Sequence, residues 1–131
     1  MHLQVGSGNM IRCRFTQDDF DRVARLSGDD NPIHTDPRFC STTRFKKTVA
    51  HGALLWGMIS KVMGKLIPGA IQCEQESIHP FPCFAGEELI IWVGVSALRP
   101  ETNQADLDTL IIKPDGSLGL KGKLVVNLPV R

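Results

Sequence analysis

The stretch Ser27–Asp36 reads SGDDNPIHTD and places three carboxylates and one imidazole around an Asn31-Pro32 break. A carboxylate and an imidazole so close in the chain are the ingredients of an acid–base pair that moves protons on and off water or carbon. Asp29 and His34 are five residues apart, a spacing that splays side chains on an ideal helix. Across a turn locked by proline the two can converge. Asn31 can bond its own backbone as a turn, while Asp36 followed by Pro37 reads as the N-cap and first position of a short helix. Structural jobs are thereby assigned to Asn31, Pro32, Asp36 and Pro37, and none to Asp29, Asp30 or His34. His51, just before Gly52, is a further candidate, either as a catalyst or as a residue holding the loop ahead of a helix. By ligand type His34, Asp36 and His51 would suit a metal, but the cap assigned to Asp36 speaks against it, and no metal is expected. His2 and His79 carry no partner signal.

The elements that must position these groups follow from the pattern on either side. A strand-like start over Arg12–Phe15 runs into Thr16, an N-cap for a helix over Gln17–Leu26 with Asp18 and Asp19 at its positive end. Phe20, Val23, Ala24 and Leu26 give that helix an apolar face, and Gly28 is placed to stop it in the left-handed conformation. Ala50–Gly69 is apolar on nearly every side, which predicts a long helix buried in the domain. Along it Ala53, Gly57, Ser60 and Gly64 form a stripe of small side chains. Two glycines inside a helix cost about 1 kcal/mol each against alanine, so the stripe predicts tight packing or a close approach by a sheet or a slender ligand. Strands are predicted over Ala70–Ile78, Glu88–Leu98, Ala105–Lys113 and Leu118–Leu128, with a turn at Pro114–Ser117. Antiparallel strands with segregated helices define the α+β class, and curling such a sheet around the long helix would cover most of it.

Composition narrows the function classes. The 131 residues suit one domain, and 42% hydrophobic with 22% charged residues is ordinary for a globular protein. A net charge of +1 with scattered basic residues leaves no footprint for nucleic acid. Apolar runs fall short of the roughly 18 residues a membrane span requires, and the first residues lack the layout of a secretory signal. Cys13, Cys40, Cys73 and Cys83 show no C-x-x-C spacing and are read as reduced thiols. The expected location is the cytoplasm, with the mitochondrion as the alternative if the natural chain carries a leader.

The succession FTQDDFDRVARLSGDDNPIHTDPRF, AHGALLWGMIS and FAGEEL resembles the MaoC-like hot-dog dehydratases, in particular the (R)-specific enoyl-thioester hydratases. The resemblance covers nearly the whole chain, as a single MaoC-like hot-dog domain over residues 1–131. Its core is SGDxNPxHxD at Ser27–Asp36 followed by His51-Gly52. It implies an antiparallel sheet wrapped around one long central helix, and reversible syn addition of water to a trans-2-enoyl thioester to give an (R)-3-hydroxyacyl thioester. Asp29 and His34 match the family's catalytic pair. His34 would help deprotonate the water; Asp29 would hold it and deliver a proton to the α-carbon. Gly52 matches the glycine whose backbone N–H receives the thioester oxygen at a helix N-terminus. Ser60 matches a helix serine near the catalytic carboxylate, a supporting residue like Asn31 and His51. No cofactor is implied beyond the coenzyme A or acyl-carrier-protein thioester that carries the substrate. The resemblance also implies a homodimer or higher homo-oligomer, with the site at the subunit interface.

Other features are open to two readings. Arg38, Arg44, Lys46 and Lys47 form a basic cluster that is either a solvated face or a contact for coenzyme A phosphates or an acidic acyl carrier protein. Trp56, Met58, Met63 and Phe84 are core residues or the lining of an acyl pocket, beside the two prolines of HPFPCF at His79–Phe84. The rival functions are a hot-dog acyl thioesterase, whose members generally lack the DxNPxH loop, and a non-catalytic acyl-thioester-binding subunit.

Overall fold

A computed structural model of the chain describes residues 3–130; His2 lies outside them. Five strands form one antiparallel sheet, in the spatial order β1-β3-β4-β5-β2. They are β1 Gly8–Arg14, β2 Ile71–Ile78, β3 Glu88–Arg99, β4 Gln104–Ile112 and β5 Leu118–Asn127. Helix α1 (Gln17–Ser27) and the short α2 (Pro32–Thr35) and α3 (Pro37–Cys40) precede the long α4 (Gly52–Leu66). This is the α+β hot-dog arrangement expected from the sequence.

The core is built by two periodicities meeting. Leu89, Ile91, Val93 and Val95 alternate on the inner face of β3, with Leu107 and Ile111 of β4 and Leu120, Leu124 and Val126 of β5 beside them. Against them α4 lays Leu55, Ile59, Val62, Met63 and Leu66, at spacings that keep one helix face toward the sheet. Fully burying one such aliphatic side chain contributes about 1.5–3 kcal/mol.

The first strand starts earlier than expected and ends at Arg14. Pairing from Gly8 opposite Gly94 to Arg14 opposite Glu88 draws the weakly strand-forming Gly8–Ile11 into the ladder. Phe15 leaves the strand and is buried in the core. Leu26, assigned to the apolar face of α1, is 91% exposed, because that helix packs through Phe20 and Ala24 near its middle.

The long helix is not enclosed. Ala53, Gly57, Lys61, Gly64 and Lys65 are exposed, since the concave sheet covers one side of the helix only. A Cβ added at Gly57 or Gly64 would meet nothing within 4 Å. Packing among the described residues therefore does not explain the two glycines of the small-residue stripe.

Candidate active site

The loop between α1 and α2 is set by local rules that the sequence obeys. Thr16 and Asp19 close a reciprocal capping box at the start of α1, and Gly28 ends it at φ 79° with its N–H on the Ala24 carbonyl. Asn31 caps α2, its Oδ1 accepting from Ile33 N at 3.2 Å, with Pro32 in the first turn. Asp36 caps α3 by accepting from Arg38 N and Phe39 N. The carboxylate of Asp36 is thus turned to backbone, and the three potential metal-binding groups that converge are Asp29, His34 and His51, with one ligand atom each within 4.8 Å of the others.

His34 is 8% exposed and fixed from both ends. Its carbonyl accepts from Gln17 Nε2 at 2.9 Å, and the other end of Gln17 accepts from Thr48. Nδ1 of its ring lies 2.7 Å from the Val49 carbonyl. A carbonyl only accepts, so Nδ1 carries the hydrogen and Nε2 presents a lone pair. That lone pair points toward Asp29, whose Oδ2 stands 4.0 Å away. The gap is too long for a direct hydrogen bond and short enough for one water to bridge both acceptors.

His51 occupies the space behind the pair. Its ring stacks on that of His34 with centroids 3.9 Å apart and meets Phe20 edge-on. Nε2 donates to the Asp29 carbonyl at 3.0 Å, which leaves Nδ1 as a lone pair, buried and without a partner among the described residues. The two histidines hence carry their hydrogens on opposite ring nitrogens. His51 also begins α4: its carbonyl accepts from Leu54 N and Leu55 N. Among the described residues nothing occupies the N–H of Gly52, at the positive end of the helix.

A cleft of about 740 Å³ opens onto these groups, lined by Ile33, His34, Gly52, Leu55, His79 and Lys113 among others. Lys113 is 8% exposed, donates to the Pro82 carbonyl at 2.5 Å and sits 3.6 Å from Glu87 Oε2. It also lies 4.9 Å from the centroid of the Phe84 ring. The local sequence pattern assigns no role to Lys113 or His79, because both reach the cleft through pairings distant in the chain. Of the suggested acyl-lining residues, Phe84 reaches this cleft, whereas Met63 is buried in the core and Trp56 and Met58 pack against it. From the basic cluster Arg44 lines the cleft, and Lys47 Nζ lies 5.5 Å from the Phe84 ring centroid. Ser60 is half-buried on α4 and is not among the hydrogen-bond partners of Asp29, His34 or His51.

The family model described as "MaoC like domain" matches residues 8–92. The (R)-specific enoyl-CoA hydratase of Aeromonas caviae is 37% identical over 129 residues, covering 97% of this chain and 96% of that one. A mitochondrial 3-hydroxyacyl-(acyl-carrier-protein) dehydratase of Solanum lycopersicum is 30% identical over 97% of this chain and 78% of its own. A solved (R)-hydratase from A. caviae, described as involved in PHA biosynthesis, superposes with a TM-score of 0.92 at 37% identity, covering 97% of this chain and 98% of that one.

Proposed function

The chain belongs to the MaoC-like domain family, and from that premise we infer that it is a hydro-lyase interconverting trans-2-enoyl and (R)-3-hydroxyacyl thioesters. The observation that carries the reading is the gap of 4.0 Å between two acceptors, His34 Nε2 and Asp29 Oδ2, beside a free helix N-terminus. A water held there gives one hydrogen to each acceptor and turns its oxygen lone pair to the β-carbon of the enoyl group. As that oxygen bonds, His34 Nε2 holds the hydrogen that stays on the new hydroxyl, the proton the water sheds passes to the Asp29 carboxylate, and Asp29 gives that same proton to the α-carbon. The pair ends as it began, and both additions come from one face of the double bond, which is syn hydration. The negative charge that passes through the thioester oxygen is met by the Gly52 N–H and the dipole of α4. Glycine at that position leaves the amide open to the substrate.

His51 supports this work by fixing the Asp29 carbonyl and the plane of the His34 ring, and Asn31 by shaping the turn between them. Ser60 acts, in this reading, through water or substrate rather than by direct contact with the pair. The substrate arrives as a thioester of coenzyme A or of acyl carrier protein, with Arg44 and Lys47 near the mouth, and no further cofactor takes part. A homodimer fits the two open sheet edges, β1 and β2, and the bare face of α4. Among the described residues no helix is long and apolar enough to cross a membrane. We place the enzyme in the cytoplasm, with the mitochondrion as the alternative.

The test is loss of enoyl absorbance with crotonyl-coenzyme A and longer enoyl thioesters, with the product coupled to an (R)-specific dehydrogenase. Hydration to the (R) product is expected. Thiol release without hydration would make the protein a thioesterase, and silence on every enoyl thioester would make it a binding subunit.

A further inference from the structure

We propose that His79 is a second hydrogen-bond donor to the thioester oxygen, acting beside the Gly52 N–H; the proposal rests on the hydratase reading above. The open side of Gly52 is not empty space. A Cβ built there would lie 3.4 Å from His79 Nε2 and 3.6 Å from its Cε1 and, its chain neighbours and its own helix backbone aside, no other described residue comes within 4 Å. An amide nitrogen and the Cβ of its own residue are about 2.5 Å apart by covalent geometry. An oxygen at hydrogen-bond length from the Gly52 N–H can therefore stand within reach of Nε2 as well.

The chemistry calls for such a group. As the β-carbon takes hydroxide, the thioester oxygen acquires enolate charge and has lone pairs for more than one donor. The His79 side chain has no hydrogen-bond partner among the described residues, although it lines the same cleft as His34 and Gly52. Its mount is firm. Phe81 N donates to the Leu118 carbonyl, Ala50 N to the Cys83 carbonyl, and Lys113 Nζ to the Pro82 carbonyl. Pro80 and Pro82 remove further backbone freedom on either side of Phe81. Because Ala50 precedes the start of α4 by two residues, the same ladder that holds His79 also locates Gly52. Two donors from distant parts of the chain are thus set on one frame, as preorganised charge stabilisation requires.

The experiment compares wild type, His79→Ala and His79→Gln on crotonyl-coenzyme A. Removing one such donor costs up to about 10²–10³ in kcat where it has been examined; for this exposed imidazole we expect kcat to fall by about 10- to 100-fold with KM near its wild-type value. His79→Gln keeps an N–H donor and should recover part of the loss. An independent readout is the infrared carbonyl stretch of crotonyl-coenzyme A bound to the Asp29→Asn protein. The downshift that reports carbonyl polarisation should shrink when His79→Ala is added. Normal kcat, a rise in KM alone, or an unchanged carbonyl stretch would each reduce His79 to a cleft wall and overturn the proposal. A wild type inactive on every enoyl thioester would remove the hydratase reading itself and this proposal with it, an outcome distinct from a variant-specific null.

Discussion

At the scale of residues, the site divides into groups that exchange protons and groups that hold them still. General acid–base groups contribute about 10²–10⁴-fold, so Asp29→Asn and His34→Ala should each lower the hydration rate by that order, measured spectrophotometrically with crotonyl-coenzyme A. Neither change should unfold the protein, because Asp29 is half-exposed and His34→Ala gives up one hydrogen bond, to the Val49 carbonyl, and the stack on the His51 ring, away from the sheet–helix core. The thiols offer a contrast in reactivity. Cys83 is buried beneath Gly119 and burial pushes its thiol up to about 11, with the Lys113 ammonium opposing the shift. The Cys40 thiol is raised as well, by burial first and by the Asp36 carboxylate second. Cys73 is exposed. With a thiol-disulfide reagent at about pH 8, where the thiolate is the reacting form, Cys73 should react first. Cys83 should respond only when the protein is unfolded or the pH approaches its raised value. Fast labelling of Cys83 in native protein would show that its shelter under the sheet is transient.

At the scale of elements, the start of α1 does two jobs. The Thr16–Asp19 box caps the helix, and Gln17 in its first turn holds the His34 carbonyl. Thr16→Ala should cost about 1 kcal/mol, seen as a fall of roughly 3–5 °C in Tm. The core of α4 is more demanding: Ile59 is fully buried, and Ile59→Ala should cost about 2–5 kcal/mol in denaturant unfolding. These elements also show what the sequence could convey. Gly28, Asn31-Pro32 and Asp36-Pro37 obey rules that act within four residues, so the turn that brings Asp29 to His34 was legible. The strands were legible too, from alternation and turn residues. What was not legible depends on partners distant in the chain. Leu26 looks apolar and is left in solvent; the far side of α4 looks like core and is bare. His79 reaches Gly52 through long-range pairings, among them Ala50 N with the Cys83 carbonyl and Phe81 N with the Leu118 carbonyl. No local pattern encodes those meetings.

At the scale of the whole molecule, the bare helix face and the unpaired outer edges of β1 and β2 are the features to explain. Gly57 and Gly64 sacrifice helix propensity, about 1 kcal/mol each, where none of the described residues crowds them. A second copy lying close to that face would account for them. Sedimentation should therefore give twice the chain mass, and Gly57→Arg should shift the protein toward the mass of one chain. If the variant sediments like wild type, the helix face is solvent-exposed in the assembly too, and the edges alone join the copies.

The bond between His51 and the Asp29 carbonyl also couples motions. His51 Nε2 holds the Asp29 carbonyl while the His51 carbonyl receives the first turn of α4. The loop that carries the acid and the helix end that receives the oxygen are therefore riveted through a single residue. When the molecule breathes, the two should travel in phase, so the distance between the proton donor and the charge-receiving amide fluctuates less than the position of either.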